Sequence, residues 1–348
     1  DTKNFSQIQC NPLIIDGILF GTSPELMLFA LNAETGKLIW EFDPDVKEEF
    51  SKHVNRGVSY WQQGDDKRIF FSAGSNLFAI NADTGESIPT FGIDGIVSLK
   101  TGLGERSQDS YVVARTPGII YKNLLIIGSV VSETMGAATG HIRAFNTISG
   151  EMEWIFHTIP QPGELGYETW PKEAYTYSGG ANNWAGMSLD LERGIVYCPT
   201  GSAAYDFWGG NRKGENLFAN CLIALDAKTG ERIWHYQTVH HDIWDKDLPA
   251  PPNLIQVERN GKKVDAVAQI SKQGYVFLFD RESGRSLFPI DEVPVPVSDL
   301  KGEYSWPTQP VPQLPPPLVP QVFDMDMVTD IDSISNLYVG NILKTVRT

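Results

Sequence analysis

Two imidazoles, three carboxylates and an indole lie within eight residues of this sequence, in the segment His240-His241-Asp242-Ile243-Trp244-Asp245-Lys246-Asp247. The segment Ser271-Lys272-Gln273-Gly274 follows about one strand pair later. Groups that exchange protons, bind cations and offer a flat apolar surface seldom collect in one place unless a site requires them. The two segments therefore predict a functional site, and the sequence around them indicates what scaffold holds it.

The composition is that of a globular protein rich in turns. The 348 residues suffice for one large β domain or two average ones, and the nine Trp, 32 Gly and 22 Pro favour β structure over helices. A net charge of −15 argues against a nucleic-acid-binding surface, which needs concentrated Lys and Arg, and solubility is the simpler explanation of that charge. Without an apolar run of about 18 residues, membrane association is expected only through segments outside this chain.

The three cysteines, Cys10, Cys198 and Cys221, are too few and too scattered for a disulfide framework or a zinc site. Buried thiols are the simplest interpretation. A bridge between Cys198 and Cys221 in an oxidising compartment stays open, because spacing alone cannot establish it.

One turn pattern recurs along the chain, with an Asn or Asp at a strand end and a Gly four residues later. Such a Gly suits a tight hairpin turn that needs a positive φ. A bulky residue usually follows on the returning strand, and the glycines lie 49 to 80 residues apart. The five copies are Ala30–Gly36 leading to Trp40, Ala79–Gly85 to Pro89, Ala144–Gly150 to Trp154, Ala224–Gly230 to Trp234, and Leu278–Gly284 to Phe288.

These repeats predict an all-β fold, a β-propeller of four-stranded antiparallel blades with about five blades present. Trp40, Trp154 and Trp234 are expected to pack between blades. After Gly284 the pattern gives way to a Pro-rich stretch from Trp306 that is expected to be extended. We therefore predict a partial propeller over residues 1–300 and a Pro-rich linker over 301–348, as part of an interrupted larger ring.

The repeats and the His240–Asp247 segment resemble those of the pyrroloquinoline quinone (PQQ) dehydrogenases, which are eight-bladed propellers. The similarity is closest to the membrane-type quinoprotein glucose dehydrogenases and their quinate and polyol relatives. It extends from about Gln9 to Pro320, and the chain resembles a fragment of such a protein. Four further segments carry it: His53-Val-Asn-Arg56-Gly57-Val-Ser-Tyr60, Asn183-Trp184, Phe207-Trp208-Gly-Gly-Asn211-Arg212 and Trp306-Pro-Thr-Gln-Pro310.

The resemblance implies catalytic roles for three residues. Asp245 follows the Trp of the motif and would be the general base that takes the hydroxyl proton. Lys272, 27 residues further on, would face the quinone oxygens of the cofactor and stabilise negative charge there. His53 would lie near the substrate, whereas His240 and His241 are expected mainly to orient the loop.

The resemblance also implies a set of cofactor and metal ligands. Trp184 would stack on PQQ, with Arg56, Thr116, Asn182, Ser129 and Lys272 as polar partners. Glu133, Asp206 and Asp245 would bind a divalent metal, for which oxygen ligands favour Ca²⁺ or Mg²⁺. Ala204 stands where alcohol-oxidising relatives supply an Asn ligand, which departs from the family pattern. The role of Asp247, which would share a face with Asp245 in an extended segment, stays open.

The resemblance implies a periplasmic enzyme that oxidises a sugar or polyol hydroxyl and passes electrons to a quinone or cytochrome. The chain lacks the adjacent cysteine pair of the alcohol-oxidising relatives, which favours the sugar and polyol branch. Two alternatives stay open. One is oxidation of another alcohol, such as quinate or glycerol, and the other is a non-catalytic propeller that serves as an interaction scaffold.

Overall fold

The computed structural model describes residues 8–45, 54–259 and 261–345. Its antiparallel sheets include four four-stranded ones that follow one another along the chain, and the predicted β-propeller fold is confirmed. The first sheet comprises β1 (Leu13–Ile15), β2 (Ile18–Thr22), β3 (Leu28–Asn32) and β4 (Leu38–Phe42). The second comprises β5 (Ser59–Gln63), β6 (Asp66–Ala73), β7 (Asn76–Asn81) and β8 (Ile96–Ser98).

The middle of the chain forms two more four-stranded blades, each with a two-stranded side sheet. The strands are β9 (Val112–Val113), β10 (Ile119–Tyr121), β11 (Leu124–Ile127), β12 (Val130–Val131), β13 (Ile142–Asn146), β14 (Met152–Phe156), β15 (Gly179–Gly180), β16 (Ser188–Asp190), β17 (Ile195–Pro199), β18 (Ala203–Ala204), β19 (Cys221–Asp226) and β20 (Arg232–Gln237). Blade three is β10-β11-β13-β14 and blade four is β16-β17-β19-β20, whereas β9 pairs with β12 and β15 with β18.

The last sheets are smaller. A three-stranded fifth sheet contains β21 (Asn253–Arg259), β22 (Lys262–Ile270) and β23 (Val276–Asp280), and β24 (Ile290–Pro294) pairs with β25 (Thr308–Pro312). Part of the predicted Pro-rich linker is thus a strand paired across the predicted boundary at residue 300. An α-helix, α1, spans Ser333–Leu343, and short 3-10 helices span Glu105–Ser107, Tyr167–Thr169, Ala174–Thr176 and Met325–Met327.

The repeated turns have the conformation that their residue types predict. In the first copy, Oδ1 of Asn32 accepts hydrogen bonds from the backbone N–H groups of Glu34 at 3.2 Å and Thr35 at 2.8 Å. Gly36 then adopts a φ of +68°, and the corresponding glycines of the other copies have φ between +67° and +77°. Because only glycine adopts this region at little cost, the turn pattern fixes where each hairpin reverses.

The repeated tryptophans pack between blades, as predicted. A Cβ placed on Gly85 would lie 2.7 Å from the indole of Trp40, and one on Gly230 would lie 2.5 Å from that of Trp154. Trp234 lies equally close to Gly284 of the fifth sheet. Each indole therefore covers the turn glycine of the following blade, which links neighbouring sheets through their buried faces.

The first strands of neighbouring blades converge. β5 contacts β10, and β16 contacts β21. The backbone N–H of Asn11 donates to the carbonyl of Arg56 at 3.1 Å, and the N–H of Arg56 donates to the carbonyl of Arg115 at 2.7 Å. The segments that precede the first strands of neighbouring blades are therefore hydrogen-bonded to one another.

Two further expectations concern cysteines and membranes. All three cysteines lie in the described ranges and are free thiols, with Cys198 and Cys221 buried and Cys10 half-buried. Within the described part of the chain, no helix is long and apolar enough to cross a membrane.

Candidate active site

Successive blades place chemically active side chains at equivalent positions. Arg56, Arg115, Trp184 and Asp247 precede the first strands of blades two, three, four and the fifth sheet by three to six residues. Since these strands converge, residues far apart in sequence meet there. This geometry explains how segments almost 200 residues apart form one site.

A cavity of about 210 Å³ lies at this point, and we call it the charged cavity. Its walls carry both cations and carboxylates. The lining residues are Arg56, Arg115, Val130, Val131, Ser132, Glu133, Gly180, Asn182, Trp184, Ser202, Asp206, Asp247 and Lys272.

Lys272 joins two carboxylates at the edge of the charged cavity. Its Nζ lies 2.7 Å from Oδ2 of Asp245 and 3.4 Å from Oδ2 of Asp247. Burial raises the pKa of Asp245, and the negative charges of Asp247 and Glu133 add to this, whereas the hydrogen bond from Lys272 lowers it. Burial by itself would lower the pKa of Lys272, but the hydrogen bond with Asp245 and the charge of Asp247 leave that pKa raised. At neutral pH the lysine is therefore a cation.

The loop that carries Asp245 is not an extended strand, because Asp245 has a φ of +54°. Among non-glycine residues, Asp and Asn adopt this left-handed conformation most readily. Both Asp245 and Asp247 nevertheless reach Lys272, so they face the same group although strict alternation along a strand does not apply. The sequence thus predicted the shared direction correctly but for the wrong geometric reason.

The buried side chain of Asp242 anchors this loop. It is 3% exposed, and its carboxylate accepts hydrogen bonds from the Ser202 hydroxyl, from Nδ2 of Asn220 at 2.9 Å and from the backbone N–H groups of Trp244 at 2.9 Å and Lys246 at 2.5 Å. A buried carboxylate with this many donors is well compensated. Asp242 thus fixes the loop both to Ser202 and Asn220 of blade four and to the loop's own backbone.

The histidines of the motif have structural partners. Nδ1 of His240 donates to Oε1 of Gln237 at 2.7 Å, and the backbone N–H of His240 donates to Gln309 at 2.9 Å. His241 is buried with Nδ1 2.7 Å from the carbonyl of Gly214. Burial, together with the nearby Arg212 charge, lowers the pKa of His241 to about 4, so the ring is neutral near pH 7.

The carboxylates of the charged cavity repel one another. Burial, followed by the charges of Asp247, Glu133 and Asp245, raises the pKa of Asp206 to about 8. No described residue donates a hydrogen bond to the carboxylate of Asp206 or Glu133. This acidic side would bind a cation favourably.

The charged cavity also carries two arginines, Arg56 and Arg115. The guanidinium of Arg56 lies over the Trp184 ring, with Cζ 5.6 Å from the ring centroid. Burial and the neighbouring Arg115 charge lower the pKa of Arg56 without neutralising it. Two adjacent arginines at one wall fit a planar ligand that carries carboxylates.

A second, larger cavity of about 600 Å³ shares Arg56 and Trp184 with the charged cavity, but no Asp or Glu lines it. Its walls include Thr116, Met187, Pro249, Ala250 and Pro251. Size alone would favour this cavity as the site. The titratable groups and the hydrogen-bonding groups favour the charged cavity, so we place the candidate site there.

Most of the predicted site residues meet in the charged cavity. Those that line it are Arg56, Glu133, Asn182, Trp184, Asp206 and Lys272, and Asp245 joins them through Lys272. Thr116 instead lines the larger cavity, and Ser129 is buried behind the wall, where its carbonyl accepts a hydrogen bond from Asn182 at 2.8 Å. His53 lies outside the described residues.

Sequence reasoning missed Arg115 and the anchoring contacts of Asp242. A signal for Arg115 was present, because Arg115-Thr-Pro-Gly precedes the first strand of blade three much as Arg56-Gly57 precedes that of blade two. The partners of Asp242, Ser202 and Asn220, carry no such local pattern.

The comparisons agree with this geometry. A family model described as "PQQ: Glucose/ethanol/alcohol dehydrogenase, beta-propeller domain" matches residues 1–348. The chain belongs to this PQQ β-propeller family.

Curated relatives carry the same propeller sequence. The chain is 35% identical over 323 residues to the quinoprotein glucose dehydrogenase of Escherichia coli (strain K12), covering 88% of this chain and 40% of that protein. It is 31% identical over 336 residues to the quinate/shikimate dehydrogenase (quinone) of Acinetobacter baylyi, covering 89% and 41%. The chain therefore spans about 40% of the length of these two relatives.

A solved structure shares the fold. The quinohemoprotein alcohol dehydrogenase of Comamonas testosteroni superposes with a TM-score of 0.71 at 24% sequence identity, covering 89% of this chain and 46% of that chain. This likeness shows that the sheets described above are arranged as in a PQQ propeller.

The charged cavity of this PQQ propeller fits the organic cofactor better than it fits a metal bound by protein groups alone. Arg56, Arg115 and the flat face of Trp184 suit a planar quinone with carboxylates, and the buried Nε of Arg115 lacks a hydrogen-bond partner among the described residues. Within the same described ranges, no group of three or more His, Cys, Asp and Glu is placed to hold a metal ion. Glu133 and Asp206 could supply part of a shell of oxygen ligands.

Proposed function

We propose that the chain forms the cofactor-binding part of a PQQ-dependent dehydrogenase that oxidises a hydroxyl of a sugar or polyol. One observation carries this proposal: Lys272, 2.7 Å from Asp245, lies at a cavity that also contains Trp184 and two arginines. A cation, a carboxylate and a stacking surface are the groups that an alcohol-oxidising quinone site needs.

Each residue has a defined task in this proposal. Asp245 accepts the proton of the substrate hydroxyl, since of the two carboxylates bonded to Lys272 it is the nearer one, at 2.7 Å against 3.4 Å for Asp247. Lys272 directs its positive charge toward the ligand that occupies the cavity and stabilises negative charge that develops there. Trp184 offers its ring as a stacking surface, and Arg56, with Asn182 and Arg115, orients the ligand's carboxylates.

PQQ, when bound, would supply the two-electron acceptor for the hydride that leaves the carbinol carbon, with a divalent cation polarising the accepting carbonyl. Glu133 and Asp206 would hold that cation, Ca²⁺ or Mg²⁺, because both line the cavity and the negative charge of Glu133 acts on Asp206. Asp245, the third metal ligand implied by resemblance, is engaged by Lys272 in this structure. His53 and Ser129 keep the roles that the resemblance implies, as proposals.

The choice of a sugar or polyol rests on the relatives and on the sequence. The name of the relative at 35% identity specifies glucose, whereas that of the relative at 31% specifies quinate or shikimate. The chain contains three isolated cysteines and no adjacent pair. A quinone acceptor is supported by the name of the second relative, and a periplasmic location follows only from the family resemblance.

The test uses the natural polypeptide that contains this chain. It would be loaded with PQQ and Ca²⁺, and reduction of a dye acceptor would be followed with glucose, other aldoses, glycerol and quinate. Oxidation of aldoses or polyols in preference to quinate supports the proposal. Preference for quinate would contradict the proposed sugar or polyol substrate and favour a quinate-type substrate. Uptake of PQQ without oxidation of any of these alcohols would contradict the enzymatic function.

A further inference from the structure

Asp247 makes more contacts with the site than its neighbour Asp245 does. Its Oδ2 accepts hydrogen bonds from Nε1 of Trp184 at 2.9 Å and from Nζ of Lys272 at 3.4 Å. Its Oδ1 accepts a bond from the backbone N–H of Ser202 at 2.6 Å, and its carbonyl accepts one from the backbone N–H of Lys272 at 3.2 Å. One residue thus contacts the stacking surface, the cation and blade four together.

The chain provides a fitted recess for this carboxylate. Asp247 is only 9% exposed. A Cβ built on Gly201 would lie 2.5 Å from Oδ1 of Asp247 and 2.9 Å from its Cγ. The φ of Gly201 lies outside the left-handed range, so backbone conformation does not require glycine there. The missing side chain at residue 201 is what leaves room for the carboxylate.

We propose that Asp247 is a positioning residue, which fixes the indole of Trp184 and the ammonium of Lys272 in their mutual orientation at the charged cavity. This role of Asp247 rests on the proposed function, which assigns Trp184 and Lys272 to the cofactor. Trp184 comes from the segment before blade four and Lys272 from the turn between β22 and β23, and Asp247 hydrogen-bonds to both.

The same contacts separate Asp247 from the two carboxylates assigned to a metal. Oδ2 of Asp247 already accepts from two donors and Oδ1 from one, so the carboxylate is largely occupied by contacts within the protein. Glu133 and Asp206 accept no hydrogen bond from a described residue, so their oxygens are available. The acidic residues around the cavity therefore divide into a positioning carboxylate and two candidate ligands.

The experiment follows the indole N–H of Trp184 in the protein without cofactor, so that it is independent of turnover. The protein would be labelled with ¹⁵N at its nine tryptophans, and the signal of Trp184 assigned from its loss in Trp184→Phe. Hydrogen exchange of that signal would then be compared in Asp247→Ala, Gly201→Ala and the control Asp83→Ala. Asp83 also pairs with a lysine, Lys67, at 3.2 Å, but far from the cavity along the sequence.

We expect exchange of the Trp184 N–H to become about tenfold faster in Asp247→Ala and in Gly201→Ala, as loss of one hydrogen bond implies. The control should match wild type, and the other indole signals should keep their positions. Gly201→Ala keeps every polar group, so it decides the question if Asp247→Ala fails to fold. Unchanged exchange in Gly201→Ala, or in a folded Asp247→Ala, would overturn the role of Asp247 while leaving the dehydrogenase proposal intact.

Discussion

The ammonium nitrogen of Lys272 lies 2.7 Å from Oδ2 of Asp245, although 27 positions of sequence separate the two residues. The pair forms because the loop before β21 and the turn between β22 and β23 lie side by side at the same end of the strands of the fifth sheet. The candidate base is thus held by the candidate cation, and the two side chains share one electrostatic environment.

Replacing Lys272 by Met should move the pH dependence of catalysis. The hydrogen bond from Lys272 lowers the pKa of Asp245, so its loss raises that pKa further. A base acts only when ionised, and the acid limb of kcat/KM should therefore shift to higher pH. We also expect kcat to fall about 100- to 1,000-fold, as for loss of a group that stabilises developing charge.

The measurement is a pH profile of kcat/KM for the loaded natural polypeptide, with Lys67→Met as the control. Lys67 forms an exposed pair with Asp83, and its loss should leave the profile in place. An acid limb that stays at its wild-type position in Lys272→Met would show that Asp245 is not the titrating base.

Replacing Asp206 by Asn should stabilise the metal-free protein at alkaline pH. The pKa of this carboxyl is about 8 in the folded protein and about 3.8 in a model compound, so the folded state holds the proton more tightly. Stability is then greatest below the unfolded pKa and is lost as the pH rises through the folded pKa. Asn cannot ionise and avoids that loss.

Melting temperatures of wild type and Asp206→Asn would be compared at pH 5 and pH 8. The variant should gain several degrees relative to wild type at pH 8 and little at pH 5. Added Ca²⁺ should narrow the difference by stabilising wild type alone. An equal difference at both pH values would contradict the raised pKa of Asp206.

Replacing Trp184 by Leu should weaken PQQ binding by about tenfold or more, because the stacking surface is lost. A matched control is Trp244→Leu, since Trp244 is 67% exposed and does not line the charged cavity. PQQ affinity would be measured by titration of its absorbance. Equal affinity in the two variants would remove Trp184 from the cofactor site.

Two turn glycines separate the cost of backbone strain from that of blade packing. Gly36 and Gly230 have φ of +68° and +73°, but a Cβ on Gly36 meets no atom within 4 Å, whereas one on Gly230 would lie 2.5 Å from the Trp154 indole. Gly36→Ala should cost about 1 kcal/mol, and Gly230→Ala about 1–3 kcal/mol more. Urea denaturation measures both, and equal losses would contradict the packing of Trp154 on that turn.

The blades could be predicted because their determinants are local. In each turn, the side chain of an Asn or Asp accepts hydrogen bonds from backbone N–H groups two or three residues later. A Gly at positive φ follows, and together these residues reverse the chain with little help from the rest of the protein. The tryptophans after three of these turns then need a partner, and the turn glycine of the following blade provides it. Such patterns depend on few neighbouring residues and survive in the sequence as repeats.

The site could be predicted only in part. Asp245, Lys272 and Trp184 stand in motifs, but the recess at Gly201 depends on contacts across about 45 positions of sequence. Asp245 at positive φ also departs from the extended geometry that spacing suggested. Long-range contacts of this kind leave no periodic signal, because each involves one residue from each of two blades.

The most direct test of the account is reduction of bound PQQ by an aldose in Asp245→Asn, followed by stopped-flow absorbance in the loaded natural polypeptide. Asn retains the size of Asp and tolerates the same backbone conformation, so cofactor binding should be largely preserved. Without the proton acceptor, we expect reduction to slow by about 100- to 10,000-fold. Reduction of PQQ at the wild-type rate in this variant would contradict the central claim that Asp245 takes the proton.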